Sequence, residues 1–528
     1  MKYIKLFVFT LITLVVTISC GNKDTENIII IKKASTERLI DAFAKFEDNF
    51  MLRSDITDNG YEQVKFLLTD YDVQGPKAEE MLQKAGLSID SIIKNKIGIT
   101  SRFVNDKKAQ AFKFSYAFNN ILKSEEQTDL INVVIGQKNI EAASPVIFNK
   151  TFSLPAKDIK KALALIAPES IPANFNIDLG YNALKPLSYF RPDKASQKRY
   201  DKAQNILYKN AVITRDGDMY SIILNNDDVI KSISASIYAV KNDNRLKVIW
   251  SIYEKLLEKE FKEIEEKFNT EIKDKIKDCA FTEELIVKDS LVVKDMYTVV
   301  VNGKEIVKLE FGIKNYENPI DGMTYKLNIT DPKAADKESG ANMISCVFAS
   351  KGAITDTTAD IDYSASVSVT NVSDDSKISM DFSTDTEYSP LSGLDMHCSF
   401  YADTTKQADN FKIDMDVIAR NNLDSESDGV QFTSLNLAMR ALGSVAKTSE
   451  MITYKIDTID MEIAAPDNEQ YIARIGTDTS VIYSKNILED ITMPTETVRV
   501  LETKVNEWQS IKDEITANIV ALSSLLNL

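Results

Sequence analysis

Two periodicities alternate along the chain and assign most of it to helix or strand. From Ala34 to Met51, Leu39, Ile40, Phe43, Phe46 and Phe50 recur at steps of three and four residues. That spacing lines one helical face, and Ser35-Thr36-Glu37-Arg38 offers capping residues at its start. Shorter helices are predicted over Tyr61–Tyr71 and Lys77–Lys94, broken at Gly75-Pro76 and Gly86. The period then falls to two over Gly98–Val104, Ala109–Ala117, Leu130–Ile135 and Pro145–Ser153, the pattern of half-buried strands. Helices are expected at Ala156–Ile166 and Ala195–Tyr208, with strand near Phe175–Leu179 between them. Ala211–Thr214 and Met219–Leu224 flank Asp216-Gly217-Asp218, and Asp-Gly between apolar runs signals a hairpin.

The strongest helical stripe runs from Leu246 to about Asp278, through Trp250, Tyr253, Leu257, Phe261, Ile264, Phe268, Ile272 and Ile276. Its opposite face, including EKEFKEIEEK, is the charged surface of a solvated helix. From Leu285 to about Tyr483 the chain alternates strand after strand, with a hairpin turn at Asn302-Gly303. No helical segment intervenes, which favours an antiparallel meander over a parallel α/β sheet. Outward positions rich in Ser, Thr and Asp imply one wet face. A final helix is predicted from Thr495 to Leu526. The expected fold is therefore α+β in two lobes: an extended, mainly antiparallel sheet packed against long amphipathic helices.

The first twenty residues, MKYIKLFVFTLITLVVTISC, add an address. Lys2 and Lys5 precede an apolar run of about 13 residues, too short to span a bilayer and typical of a signal peptide. A small residue and then Cys20 follow. This arrangement resembles a bacterial lipoprotein signal, although Thr17 stands where the usual lipobox has Leu. The resemblance implies that Cys20 is acylated (palmitate or a related chain) and attaches the protein to a membrane. Residues 1–19 would be the signal peptide and 20–27 the lipidated cysteine with a polar tether. Residues 28–245 would form a mixed N-terminal lobe, and 246–528 the long helix, β meander and closing helix. The expected location is the bacterial cell envelope, facing the periplasm or the cell surface.

Charge narrows the partners. Loss of residues 1–19 removes two lysines and no acid, taking the formal net charge from −16 to −18. Such a surface repels phosphate backbones, so nucleic acid is not an expected partner. Hydrophobic residues make up 44% of the chain, enough for a folded core.

Candidate chemistry is sparse. His397 is the sole histidine, so no His-based metal cluster and at most one imidazole base exist. Its neighbour Cys398 should point to the opposite face of a strand. Cys279, Cys346 and Cys398 lack metal-type spacing; one pair could form a disulfide in an oxidising compartment, but the favoured reading is three small buried hydrophobes. DSESDG (Asp424–Gly429) begins like an EF-hand loop, but its twelfth position would be Leu435. Asp414 with Asp416, and Asp360 with Asp362, share strand faces, and paired carboxylates could serve a glycosidase, but acidic edges on a solvated sheet explain the pairs better. Phosphate-binding glycine loops are absent. No cofactor, metal or catalytic residue is predicted, and the only assigned site is Cys20. The expected function is that of a membrane-anchored, non-enzymatic lipoprotein holding a hydrophobic ligand or lipid, as a carrier or chaperone. Its helix-backed sheet would resemble the half-barrel lipoprotein carriers. The alternative is a surface lipoprotein that meets a protein partner, and a third reading is an enzyme of unfamiliar type.

Overall fold

The computed structural model describes residues 23–74, 89–122, 125–159, 161, 190–243, 245, 262, 263, 265–330, 342–369, 392–421, 434–464 and 470–525. Helix α1 (Lys23–Met51) and a short α2 (Arg53–Asp58) lead into β1 (Gly60–Gln74). After α3 (Ile89–Lys94) come β2 (Gly98–Asp106), β3 (Ala111–Leu122), β4 (Glu125–Ile135), β5 (Asn139–Ser144) and β6 (Phe148–Pro155). A helical pair, α4 (Lys194–Tyr208) and α5 (Asn226–Lys241), brackets the hairpin of β7 (Val212–Asp216) and β8 (Met219–Leu224). One turn of helix, α6 (Lys273–Ile276), precedes β9 (Cys279–Lys288), β10 (Leu291–Val301), β11 (Lys304–Gly312) and β12 (Thr324–Thr330). The meander continues through β13 (Asn342–Ile354), β14 (Thr358–Val369), β15 (Ser392–Asp403) and β16 (Phe411–Asn421). It ends with β17 (Ser434–Lys447), β18 (Met451–Ala464), β19 (Gln470–Ser484), the short β20 (Thr497–Arg499) and helix α7 (Val505–Leu525).

All twenty strands belong to one sheet. Strands β7 to β19 pair in sequence order, every neighbour antiparallel. β19 then pairs with β1 over Tyr61↔Ser484 to Gln74↔Ile472, and β1 to β6 follow in order. β20 adds to β6 in parallel, so β7 and β20 are the two edges among the described residues.

This corrects the two-lobed α+β expectation. Strand dominates, and the N-terminal strands are joined to the C-terminal meander by a ladder along the length of β1. Tyr61–Tyr71, predicted as helix, lies within β1. Phe66, Leu67 and Leu68 put apolar side chains on both faces of the strand and so erase the period of two that would have identified it. The first helix starts at Lys23, inside the stretch read as a tether. Ser35 is therefore mid-helix: its hydroxyl bonds back to the Ile31 carbonyl at 2.8 Å and accepts the Val292 amide at 2.8 Å. At the other end, Thr497–Arg499 is strand and helix begins only at Val505. Of the long helix expected from Leu246, residues 246–261 and 264 lie outside the described residues, and the remainder ends at Ile276.

The sheet has a covered face and a wet face. α1 lies along the covered face, and its stripe of Ile28, Ile29, Lys32, Ser35, Ala44, Glu47 and Phe50 is buried. Its first half joins α4, α5 and strands β8–β13 in one apolar cluster around Leu207, Ile233, Ile237, Leu285 and Leu309. Its last turns and α2 form a second cluster with Ile361, Ala402, Phe411, Val445, Ile452 and Tyr454. The buried Tyr454 hydroxyl donates to the Phe50 carbonyl at 2.8 Å and fastens this end.

Candidate functional site

Register fixes what the wet face displays. Asp362 (β14), Ser399 (β15), Asp414 (β16), Arg440 (β17), Asp460 (β18), Arg474 (β19) and Asp72 (β1) are directly opposed in succession. Two residues along each strand, on the same face, runs a second row: Ser364, His397, Asp416, Ala438, Glu462, Ile472 and Gln74. Arg440 Nε donates to Asp414 Oδ1 at 2.9 Å, and Arg474 Nε to Asp460 Oδ1 at 2.9 Å. From Asp414 to Asp72 the charges therefore alternate in sign across five strands, about 19 Å at the usual strand spacing. Partial burial pushes the Asp414 carboxyl up, but bonds from Lys412 and Arg440 outweigh it and hold the group below its ordinary value. The bond from Asp460 raises Arg474 further.

The two rows enclose a cavity of about 520 Å³. Five carboxylates line it (Asp72, Asp414, Asp416, Asp460 and Glu462) against two guanidiniums, Arg440 and Arg474. Ala438 and Ile472 give it a small apolar floor, and His397 stands at one end. His397 is half-exposed between two carboxylates: Nε2 is 3.7 Å from Asp362 Oδ1, and Nδ1 is 3.9 Å from Asp416 Oδ2.

The residues singled out from sequence divide accordingly. Asp414 and Asp416 do share a face, as do Asp360 and Asp362, and the sheet brings one member of each pair, Asp362 and Asp416, to His397. Cys398 points to the covered face, away from His397, as strand alternation requires. Acid–base hydrolysis needs two carboxyls driven apart in acidity, with one kept protonated. Asp414 has two cations on it and is held ionised. No group of three His, Cys, Asp or Glu side chains is placed to hold a metal among the described residues. Cys279, Cys346 and Cys398 are free thiols. Cys20 and Asp424–Gly429 lie outside the described residues. Sequence reading missed the two arginines, which sit 26 and 14 residues from their aspartates in other strands.

A second charged cluster, also missed, is buried under α1. Lys32 Nζ lies 2.5 Å from Glu283 Oε1 and 2.7 Å from Asp295 Oδ2, and it also bonds the Tyr297 hydroxyl. Tyr208, from α4, donates to Glu283 Oε2 at 2.6 Å and sits 2.9 Å from the Tyr297 hydroxyl. Burial pushes Glu283 up to about 7; Lys32 opposes the shift and Asp295 adds to it. For Lys32, burial favours the neutral amine, but Asp295 and Glu283 outweigh it and keep the ammonium charged.

No protein-family model and no curated protein matches the chain. Solved structures that align with it include OccK3 from Pseudomonas aeruginosa, at 6% identity and TM-score 0.24, covering 82% of this chain and 97% of that one. A loop-deletion mutant of OmpT, an outer membrane protein of Vibrio cholerae, aligns at 7% identity and TM-score 0.18, over 80% and 98%. OccK2 from P. aeruginosa in complex with glucuronate aligns at 7% identity and TM-score 0.22, over 81% and 96%. Scores of this size do not establish a shared fold. None of the three is described as a lipid-anchored carrier. The expectation of a lipoprotein carrying a hydrophobic ligand between helix and sheet is corrected on the packing: two apolar clusters fill the space between α1 and the covered face. The space of about 520 Å³ lies instead on the wet face, with five carboxylates and two guanidiniums among its lining side chains.

Proposed function

We propose that this chain is a non-catalytic binding protein of the cell envelope. Its wet sheet face takes a polar, extended ligand with spaced cationic groups, such as a basic peptide or a polyamine. The observation that carries this reading is the five-strand charge ladder beside a cavity of about 520 Å³ in which carboxylates outnumber guanidiniums five to two. Carboxylates opposite each other in sign to Arg440 and Arg474 fix the register of the site. Asp416 and Glu462, in the second row, add two further carboxylates to the lining. Ligand amines would exchange water for charge-assisted hydrogen bonds there, and mixed charge across the ladder would favour ligands with interspersed acceptors.

Calorimetric titration with spermine and with a lysine-containing peptide at low salt tests this. Binding should weaken at least tenfold in D416N/E462Q and fall steeply with added salt. The control E284Q/D289N, which removes two exposed carboxylates on β9 and the following turn, should bind as the unaltered protein does. Equal loss in both variants would reduce the effect to net charge and sink the reading, as would an absence of binding to the unaltered protein.

A further inference from the structure

We propose that the buried Lys32–Glu283–Asp295 cluster is a proton-operated latch, closed in acid, that fastens the first half of α1 to the sheet. Three ionisable groups share a site that solvent hardly reaches: side-chain exposure is 7% for Lys32, 0% for Glu283 and 8% for Asp295. One ammonium faces two carboxylates, so the fully ionised site keeps one negative charge unbalanced in a medium that penalises it. Asp295 Oδ1 has no hydrogen-bond donor. Every element packed around the site contributes a group. α1 brings Lys32 and Ser35, α4 brings Tyr208, β9 brings Glu283, and β10 brings Asp295 and Tyr297. Tyr325 on β12 and Tyr316 after β11 complete the surround. None of them is a second cation. Uptake of one proton by a carboxylate oxygen is therefore the step that balances the site, and Glu283, the most enclosed of the three, is where burial drives it.

The sign follows from linkage. Closed, Glu283 titrates near 7; open and hydrated, it returns to about 4.3. Between those values the closed state holds a proton that the open state releases, so closure weakens as pH rises and levels off above about 7. The site acts on the first half of α1; the second half packs in a separate apolar cluster through Phe43, Phe46 and Phe50 and carries its own buried carboxylate, Glu47.

Hydrogen exchange on the full-length protein, corrected for intrinsic rates, reads the latch directly. The opening constant for Ile28–Ser35 should rise about tenfold per pH unit from about 5 to about 7 and then plateau. In Glu283→Gln the slope should vanish. A flat profile in the unaltered protein, or an unchanged slope in the variant, overturns the proposal. Infrared titration of the unaltered protein needs no variant: a protonated-carboxyl band should persist at pH 6 and disappear above 8. Its absence at pH 6 overturns the proposal equally.

Discussion

Gly443 tests whether the wet-face ladder depends on backbone register. It lies on β17 beside a bulge between Leu442 and Gly443, where β18 skips from Ile456 to Thr458. A Cβ placed on Gly443 would sit 1.8 Å from the Lys455 carbonyl oxygen, 2.8 Å from its carbon and 3.0 Å from Ile456 Cα. All three are backbone atoms of the paired strand, so no side chain can swing aside. In Gly443→Ala, β18 must retreat by more than 1 Å. That strains or breaks the pairings of Gly443 with Ile456 and Ser444 with Lys455. Two ladder hydrogen bonds at about 1 kcal/mol each, with about 1–3 kcal/mol of overpacking, put the loss at about 3–5 kcal/mol. Gly217→Ala is the control. Gly217 has φ +60° but nothing within 4 Å of the added carbon, so only the left-handed backbone term of about 1–2 kcal/mol applies. The assay is the urea dependence of hydrogen exchange in β17 and β18. Because Arg440 and Asp460 pair three residues from the bulge, cation binding should weaken as well. A Gly443→Ala protein within 1 kcal/mol of the original would refute the claim that this seam is rigid.

Two further substitutions probe the covered face. Lys32→Met leaves two buried carboxylates without their cation and should cost about 3–5 kcal/mol by urea midpoint, with part recovered in K32M/E283Q. Tyr454→Phe deletes the buried bond to the Phe50 carbonyl and should cost about 1–2 kcal/mol, with faster exchange confined to α2 and the last turn of α1.

Much of the sheet was legible because turns and alternation are local. Gly217 and Gly303 adopt φ +60° and +76° in the hairpins that Asp-Gly and Asn-Gly announced. The acidic residues on β14 and β16 were correctly assigned to shared faces for the same reason. What failed was non-local or chemically inverted. α5 passed unnoticed because its inward stripe includes Ser232 and Ser236, which are buried against α4; the Ser232 hydroxyl donates to the Ala203 carbonyl at 2.7 Å. Lys32 carried no local signal, since its two carboxylate partners lie more than 250 residues away. The pairing of β1 with β19 has no local signature at all.

That seam also sets an order of events for the folding chain. Tyr61 cannot meet Ser484 until the ribosome has made nearly the whole protein, so one edge of β1 must wait bare through most of synthesis and any export. Closing a loop of that length costs about 5 kcal/mol in chain entropy before a single contact across it repays anything. Completion of the sheet should therefore be late and slow, with the newborn β1 edge as its point of greatest exposure to aggregation.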